Sequence, residues 1–136
     1  MSYYAHTTDG PRETWEPLED HLDLCATGNA AFSGAAGFAA AFGAEHWGRL
    51  LGLWHDLGKF SPAFQRNIEE CSETNLSRRP LQRRVDHSSA GAQHAVKHLG
   101  SNGTLLAYSI SGHHGGLLNY QDLERRLEKN LRKNGE

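Results

Sequence analysis

The chain has 136 residues, 38% of them hydrophobic and 22% charged, with a formal charge of −2. That make-up is one globular domain of ordinary size, spanning 1–136, and excludes a disordered chain or a globally basic nucleic-acid binder. Cys25 and Cys71 stand far apart with no C-x-x-C spacing, which excludes a thiolate zinc knuckle and fits a reducing cytoplasm. No run approaches the roughly 18 apolar residues of a membrane span, and MSYYAHTTDGPRE lacks the features of a signal peptide. The anomaly is nine histidines.

In chain order, residues 1–14 read as an irregular lead-in with turn residues Asp9, Gly10 and Pro11. From Trp15 the pattern becomes helical, with Leu18, Leu22 and Cys25 as an apolar stripe and His21 beside it. Residues 26–44 are rich in Ala, Gly and Phe. They predict a packed helix with a break near Gly28 or Gly34, with Phe32, Phe38 and Phe42 filling gaps. Glu45 to Leu57 is a helix whose buried stripe is Trp47, Leu50, Leu51, Trp54 and Leu57, and Gly58 is expected at its C′ position with positive φ. Ser61-Pro62 reads as N-cap and first residue of a helix running to about Glu70. Residues 71–86 form a loop carrying Arg78, Arg79, Arg83 and Arg84. His87 opens a helix to Leu99, a turn follows at 101–103, and Thr104 to Ser111 is a short apolar helix stopping at GHHGG. Gln121 to Lys133 is a charged amphipathic helix with Leu123, Leu127 and Leu131. No strand alternation and no internal repeat is visible, so the domain is expected to be all-α, a helical bundle.

The chemistry-bearing positions are His21, the adjacent His55 and Asp56, His87, and the pair His113-His114. Each sits at or near a helix end or on an apolar-flanked helix, and helix ends can converge on one cleft. Imidazole suits first-row transition ions, and a carboxylate adds charge and can bridge two of them. Two such ions together clamp the attacking and leaving oxygens of a phosphodiester. Lys59, three residues past Asp56, would offset phosphate charge or tie Asp56 in place. Each feature alone has a plain structural explanation; the ordered combination is what is specific. His94 and His98 have the i, i+4 spacing of a zinc pair, but no matching third ligand is near them and they read as a solvated face. Cys25 reads as core, and His6 and His46 have no motif around them.

These pieces resemble the HD nuclease domain of the CRISPR-associated helicase–nuclease of type I systems. The matching segments are WEPLEDHL, GLWHDLGKFSPAFQ, DHSSAGAQ and AYSISGHHGGL, in family order over most of residues 1–120. MSYYAH also looks like the start of such proteins. The resemblance implies an HD-domain bundle whose helix ends converge on a metal site, and a prokaryotic, cytoplasmic nuclease that cuts single-stranded DNA. It implies as partners a helicase, fused or separate, and the Cascade surveillance complex. It further implies one or two divalent transition ions. His21, His55 and Asp56 would hold one, Asp56 would bridge to a second held by His87, His113 and His114, and Lys59 would lie beside the phosphate. The donor set admits Mn, Fe, Co, Ni or Zn, with Mg also allowed. The family ends its site with a further Asp on a later helix. Asp122, the one Asp after His114, stands too close to the double histidine to be that ligand. The chain is therefore expected to be the N-terminal portion of something longer, exposing apolar surface that favours a homodimer.

The Arg loop 78–84 is the candidate contact for a strand backbone. Two other functions are weighed against the nuclease. One is an HD-type nucleotide phosphohydrolase, which needs a closed pocket with base- and ribose-reading groups. The other is a catalytically impaired scaffold that only binds helicase or Cascade.

Overall fold

The structure is a computed structural model that describes residues 2–29, 34–73 and 85–131. Seven α-helices follow one another among these residues: α1 Leu18–Thr27, α2 Ala35–Ala40, α3 Glu45–Trp54, α4 Pro62–Glu73, α5 Ser88–Leu99, α6 Gly103–Gly112 and α7 Tyr120–Leu131. The expected all-α architecture holds for the described residues apart from one small two-stranded ribbon. The lead-in is more ordered than its turn residues suggest. Tyr4–His6 (β1) pairs antiparallel with Glu16–Pro17 (β2). A two-residue strand is too short for alternation to register in the sequence, and non-local pairing decides it. The same ribbon delays α1 to Leu18, because Pro17 sets an extended backbone just before the helix.

The main core lies between α5 and α6. Ala92, Ala95, Leu106, Ala107, Ile110 and Leu123 are buried there, flanked by Trp47, Leu50, Leu51 and Trp54 of α3. The expected α3 stripe is thus correct through Trp54. Fully burying side chains such as Ile110 and Leu123 contributes about 1.5–3 kcal/mol each. Leu123 also shows that α7 is docked rather than peripheral. Small residues let α3 and α5 approach closely: a Cβ on Gly91 would fall 1.8 Å from the Trp54 carbonyl oxygen. A second cluster, Ala5, Leu18 and Leu22 with Tyr3 and Phe60, seats the ribbon on α1.

Three local expectations need correction. Phe38 and Phe42 do not fill gaps; they are 64% and 88% exposed, because α2 is a short helix whose buried contact is Ala36. Phe32 lies outside the described residues. The α3 helix stops at Trp54, and His55-Asp56 turns the chain into a 3-10 helix, Leu57–Phe60. Gly58 therefore is not a positive-φ C′ residue. Its Cβ position is 2.2 Å from the His87 carbonyl oxygen, so glycine stands there for close approach between two backbones. Ser61 is the expected N-cap of α4: its Oγ accepts from the Phe64 N–H at 3.2 Å.

Candidate metal centre

Four chain segments deliver the site. His21 projects from α1, one turn past Leu18, which is fully buried and anchors the helix. His55 and Asp56 follow the last turn of α3. His87 sits in the N-cap position of α5, and His113 in the C-cap position of α6. The Gly58 N–H donates to the His87 carbonyl at 3.1 Å, which ties the second segment to the third.

Asp56 is the centre, 2% exposed. Its Oδ2 lies 3.2 Å from His21 Nε2, 3.2 Å from His55 Nε2 and 2.8 Å from Lys59 Nζ. Its Oδ1 lies 3.4 Å from both His87 Nε2 and His113 Nε2. His114 joins through His87, Nε2 to Nε2 at 2.8 Å. All six metal-ligand candidates thus come together, three histidines near one end of the Asp56 carboxylate and two at the other, counting His114 with His87. More strictly, the Oδ2 side has His21 and His55, and the Oδ1 side has His87, His113 and His114. Lys59 is buried on Asp56, with His6 Nε2 3.5 Å from its ammonium. The Arg78, Arg79, Arg83 and Arg84 loop lies outside the described residues.

The imidazoles are oriented by their outer nitrogens. Nδ1–H of His55 donates to the Gly52 carbonyl (2.8 Å), of His113 to Ile110 (2.6 Å) and of His87 to Val85 (3.2 Å). His21 Nδ1–H donates to Glu16 Oε1 at 3.3 Å. This pattern turns the Nε2 lone pairs inward, the tautomer that binds metal. The consequence is electrostatic. In that tautomer His21 Nε2, His55 Nε2 and Asp56 Oδ2, separated by 3.2–3.3 Å, are three acceptors whose spacing suits a cation at their middle. Donors around an ion at about 2.0–2.1 Å in tetrahedral geometry stand about 3.3 Å apart. Asp56 Oδ1, buried, has no well-formed hydrogen bond. The residues fit divalent ions on both sides of the carboxylate.

Burial alone would raise the Asp56 carboxyl, but when the rings of His113, His21 and His55 carry a proton on Nε2 they donate to it, as Lys59 does, and hold it far below the usual carboxylate range; a bound cation would take the place of those ring protons. Burial lowers His87 and His114, keeping them neutral and ready to ligate. His113 is raised: burial opposes this, but Asp56 and the Ile110 carbonyl outweigh it.

Several contributors escaped the sequence. Cys25 is not in either core cluster; on α1 the buried residues are Leu18, Leu22 and Ala26. Its spacing of four from His21 puts both on one helix face, with Sγ 3.8 Å from His21 Nε2. That spacing was the available signal. His6 and Glu16 reach the site from the ribbon, which no periodicity announces. His94 stacks edge-on against Trp54 and, among the described residues, belongs with His98 to no three-donor group.

Arg126 of α7 also went unread, because one arginine on a charged helix carries no sequence signal. It donates to Ser89 Oγ (2.9 Å), Ser88 Oγ (2.7 Å), the Ser111 carbonyl (2.8 Å) and Asp86 Oδ1 (3.2 Å). It thereby joins the start of α5 to the end of α6, the two segments that carry His87 and His113. Asp86 caps α5 through the Ser89 N–H. Burial opposes its ionisation, but Ser89 and Arg126 hold the carboxyl at about 2. Arg126→Ala is expected to cost about 1–3 kcal/mol, to raise the Asp86 pKa, and to weaken metal uptake at the His87 side more than at the His21 side. Chemical denaturation and metal titration check this; Arg126→Lys restores only part, since one ammonium cannot span four acceptors.

The Cas3, HD domain family matches residues 5–135. The chain belongs to the Cas3 HD family. No curated protein matches it. Membership makes the cluster a site of a metal-dependent HD-type hydrolase family. Among the described residues no Cas3 HD helix is long and apolar enough to cross a membrane.

Proposed function

We propose that the domain hydrolyses phosphodiesters of single-stranded DNA during CRISPR interference, working with a helicase and fed by a Cascade-opened target. The observation that carries this is Asp56, whose two oxygens face two separate histidine groups in a Cas3 HD domain. His21, His55 and Asp56 would hold one divalent transition ion, and Asp56, His87, His113 and His114 a second. The chemistry such a pair supplies is charge stabilisation of the phosphodiester and a nucleophilic water near neutral pH. The protein's own part is orientation: backbone carbonyls and Glu16 fix the rings. Lys59 acts through Asp56 as a positioning residue, donating to Oδ2 from a buried place. Arg78, Arg79, Arg83 and Arg84 are the proposed strand contact.

A second function has one observation behind it. A cavity of about 460 Å³ opens beside His87 and His114, with Phe64 and Arg126 in its wall; that size suits a small ligand, as a nucleotide phosphohydrolase would need. The experiment compares, with manganese-, cobalt- or nickel-loaded protein, cleavage of circular single-stranded DNA against phosphate release from nucleotides. DNA cleavage lost in Asp56→Asn is expected. Phosphate release without DNA cleavage establishes the second function, and neither activity in protein with bound metal leaves the scaffold.

A further inference from the structure

The two sides of Asp56 are not chemically alike. The Oδ1 side faces three imidazoles. The Oδ2 side faces only two, and its oxygen is already shared with the Lys59 ammonium at 2.8 Å. A divalent ion there meets a neighbouring positive charge with a single, shared carboxylate to offset it. One further donor is within reach. Cys25 Sγ, His21 and His55 offer ligand atoms that all lie within 4.8 Å of one another, and Sγ is 3.8 Å from His21 Nε2. A sulfur at about 2.3 Å and a nitrogen at about 2.0–2.1 Å from one ion stand about 3.6 Å apart in a tetrahedron. Asp56 and Cys25 therefore meet the same His21–His55 edge. The thiol is half-buried and outside the apolar clusters, so packing does not account for its place. On the opposite side of the carboxylate, the buried Asp56 Oδ1 has no well-formed hydrogen bond, a sign that Asp56 is arranged for cations.

We propose that Cys25 is a ligand of the His21–His55–Asp56 ion, bound as the thiolate. Its proton leaves to solvent as the sulfur–metal bond forms, and the negative sulfur supplies the charge that the Lys59-shared carboxylate leaves short. The Oδ2 side then selects a thiophilic ion, zinc, cobalt or ferrous iron, over magnesium, while the Oδ1 side, three imidazoles and a carboxylate oxygen without sulfur, does not discriminate in this way. This rests on the proposal that the centre binds metal.

The test is a cobalt(II) titration of the metal-free full chain under reducing conditions, followed by absorption. Expected is a near-ultraviolet sulfur-to-cobalt charge-transfer band along with the visible bands. Cys25→Ser and Cys25→Ala, checked for folding by circular dichroism, lose the charge-transfer band and bind the first zinc at least about tenfold more weakly. Cys71→Ser keeps both. Cobalt uptake without the band in the unaltered chain, or a band that survives Cys25→Ser, overturns Cys25 as a ligand while the metal centre stands. No cobalt uptake at all overturns the centre and this inference with it.

Discussion

Asp56→Ala is expected to abolish metal uptake at both sides and to reduce the proposed cleavage by about a thousand-fold or more. Its two oxygens reach one histidine group each, so both sides lose their shared carboxylate at once. The substitution also has a structural cost. Lys59 is 3% exposed, and its ammonium is held by Asp56 Oδ2 at 2.8 Å. Removing one member of a buried ion pair typically costs about 3–5 kcal/mol, because the remaining charge is left unpaired away from water. Loss of activity in Asp56→Ala alone would therefore confuse chemistry with unfolding. The double substitution Asp56→Ala, Lys59→Met separates them. With both charges gone, stability is expected to return to within about 1–2 kcal/mol of the unaltered chain, while metal uptake and cleavage stay lost. Urea denaturation and elemental analysis of the same preparations provide the comparison. Full cleavage by Asp56→Ala would falsify the assignment of Asp56 as the bridge.

Gly58→Ala is the second large effect. Its Cβ would stand 2.2, 2.5 and 2.6 Å from the carbonyl oxygen, Cα and carbonyl carbon of His87. All three are backbone atoms, so no side-chain rotation relieves the overlap. The two segments must separate, and the Gly58 N–H to His87 O hydrogen bond is lost with them. Overpacking of this kind costs about 1–3 kcal/mol, with about 1 kcal/mol more for the hydrogen bond. The specific consequence is displacement of His87 from Asp56, so the Oδ1 side loses its metal first and the Oδ2 side keeps more of its affinity. Gly115→Ala is the control: it is next to His114, yet its Cβ position has nothing within 4 Å. It is expected to leave stability and metal content unchanged. Equal losses in both variants would show that glycine matters here for flexibility and not for close approach.

That contrast marks the boundary between what the chain states locally and what only folding decides. The helices from Glu45, Pro62, Ser88 and Gly103 were legible because amphipathic spacing and caps such as Ser61-Pro62 are local signals. The six candidate ligands were legible because their residue types and order match the family's motifs, with imidazole and carboxylate at the ends of elements. Separations of 34 and 35 residues, from His21 to His55 and Asp56, carry no physical signal in themselves. Convergence needs the α1–α3 and α5–α6 packing.

The remainder depends on contacts between distant segments. Gly58 was read as a local helix stop because a glycine after a helix usually has that cause; the actual cause, the His87 backbone, is 29 residues away. Cys25 reads as core because spacing cannot tell which of two adjacent faces a helix buries; α1 buries Leu18, Leu22 and Ala26, and the face that Cys25 shares with His21 turns toward the site. Arg126 gained its role only when α7 docked beside the junction of α5 and α6. The helical fold class and the donor chemistry were readable from the chain, since both reside in residue type and short-range spacing. The tertiary structure decided which atoms share one carboxylate, since that depends on contacts between segments that no local pattern encodes.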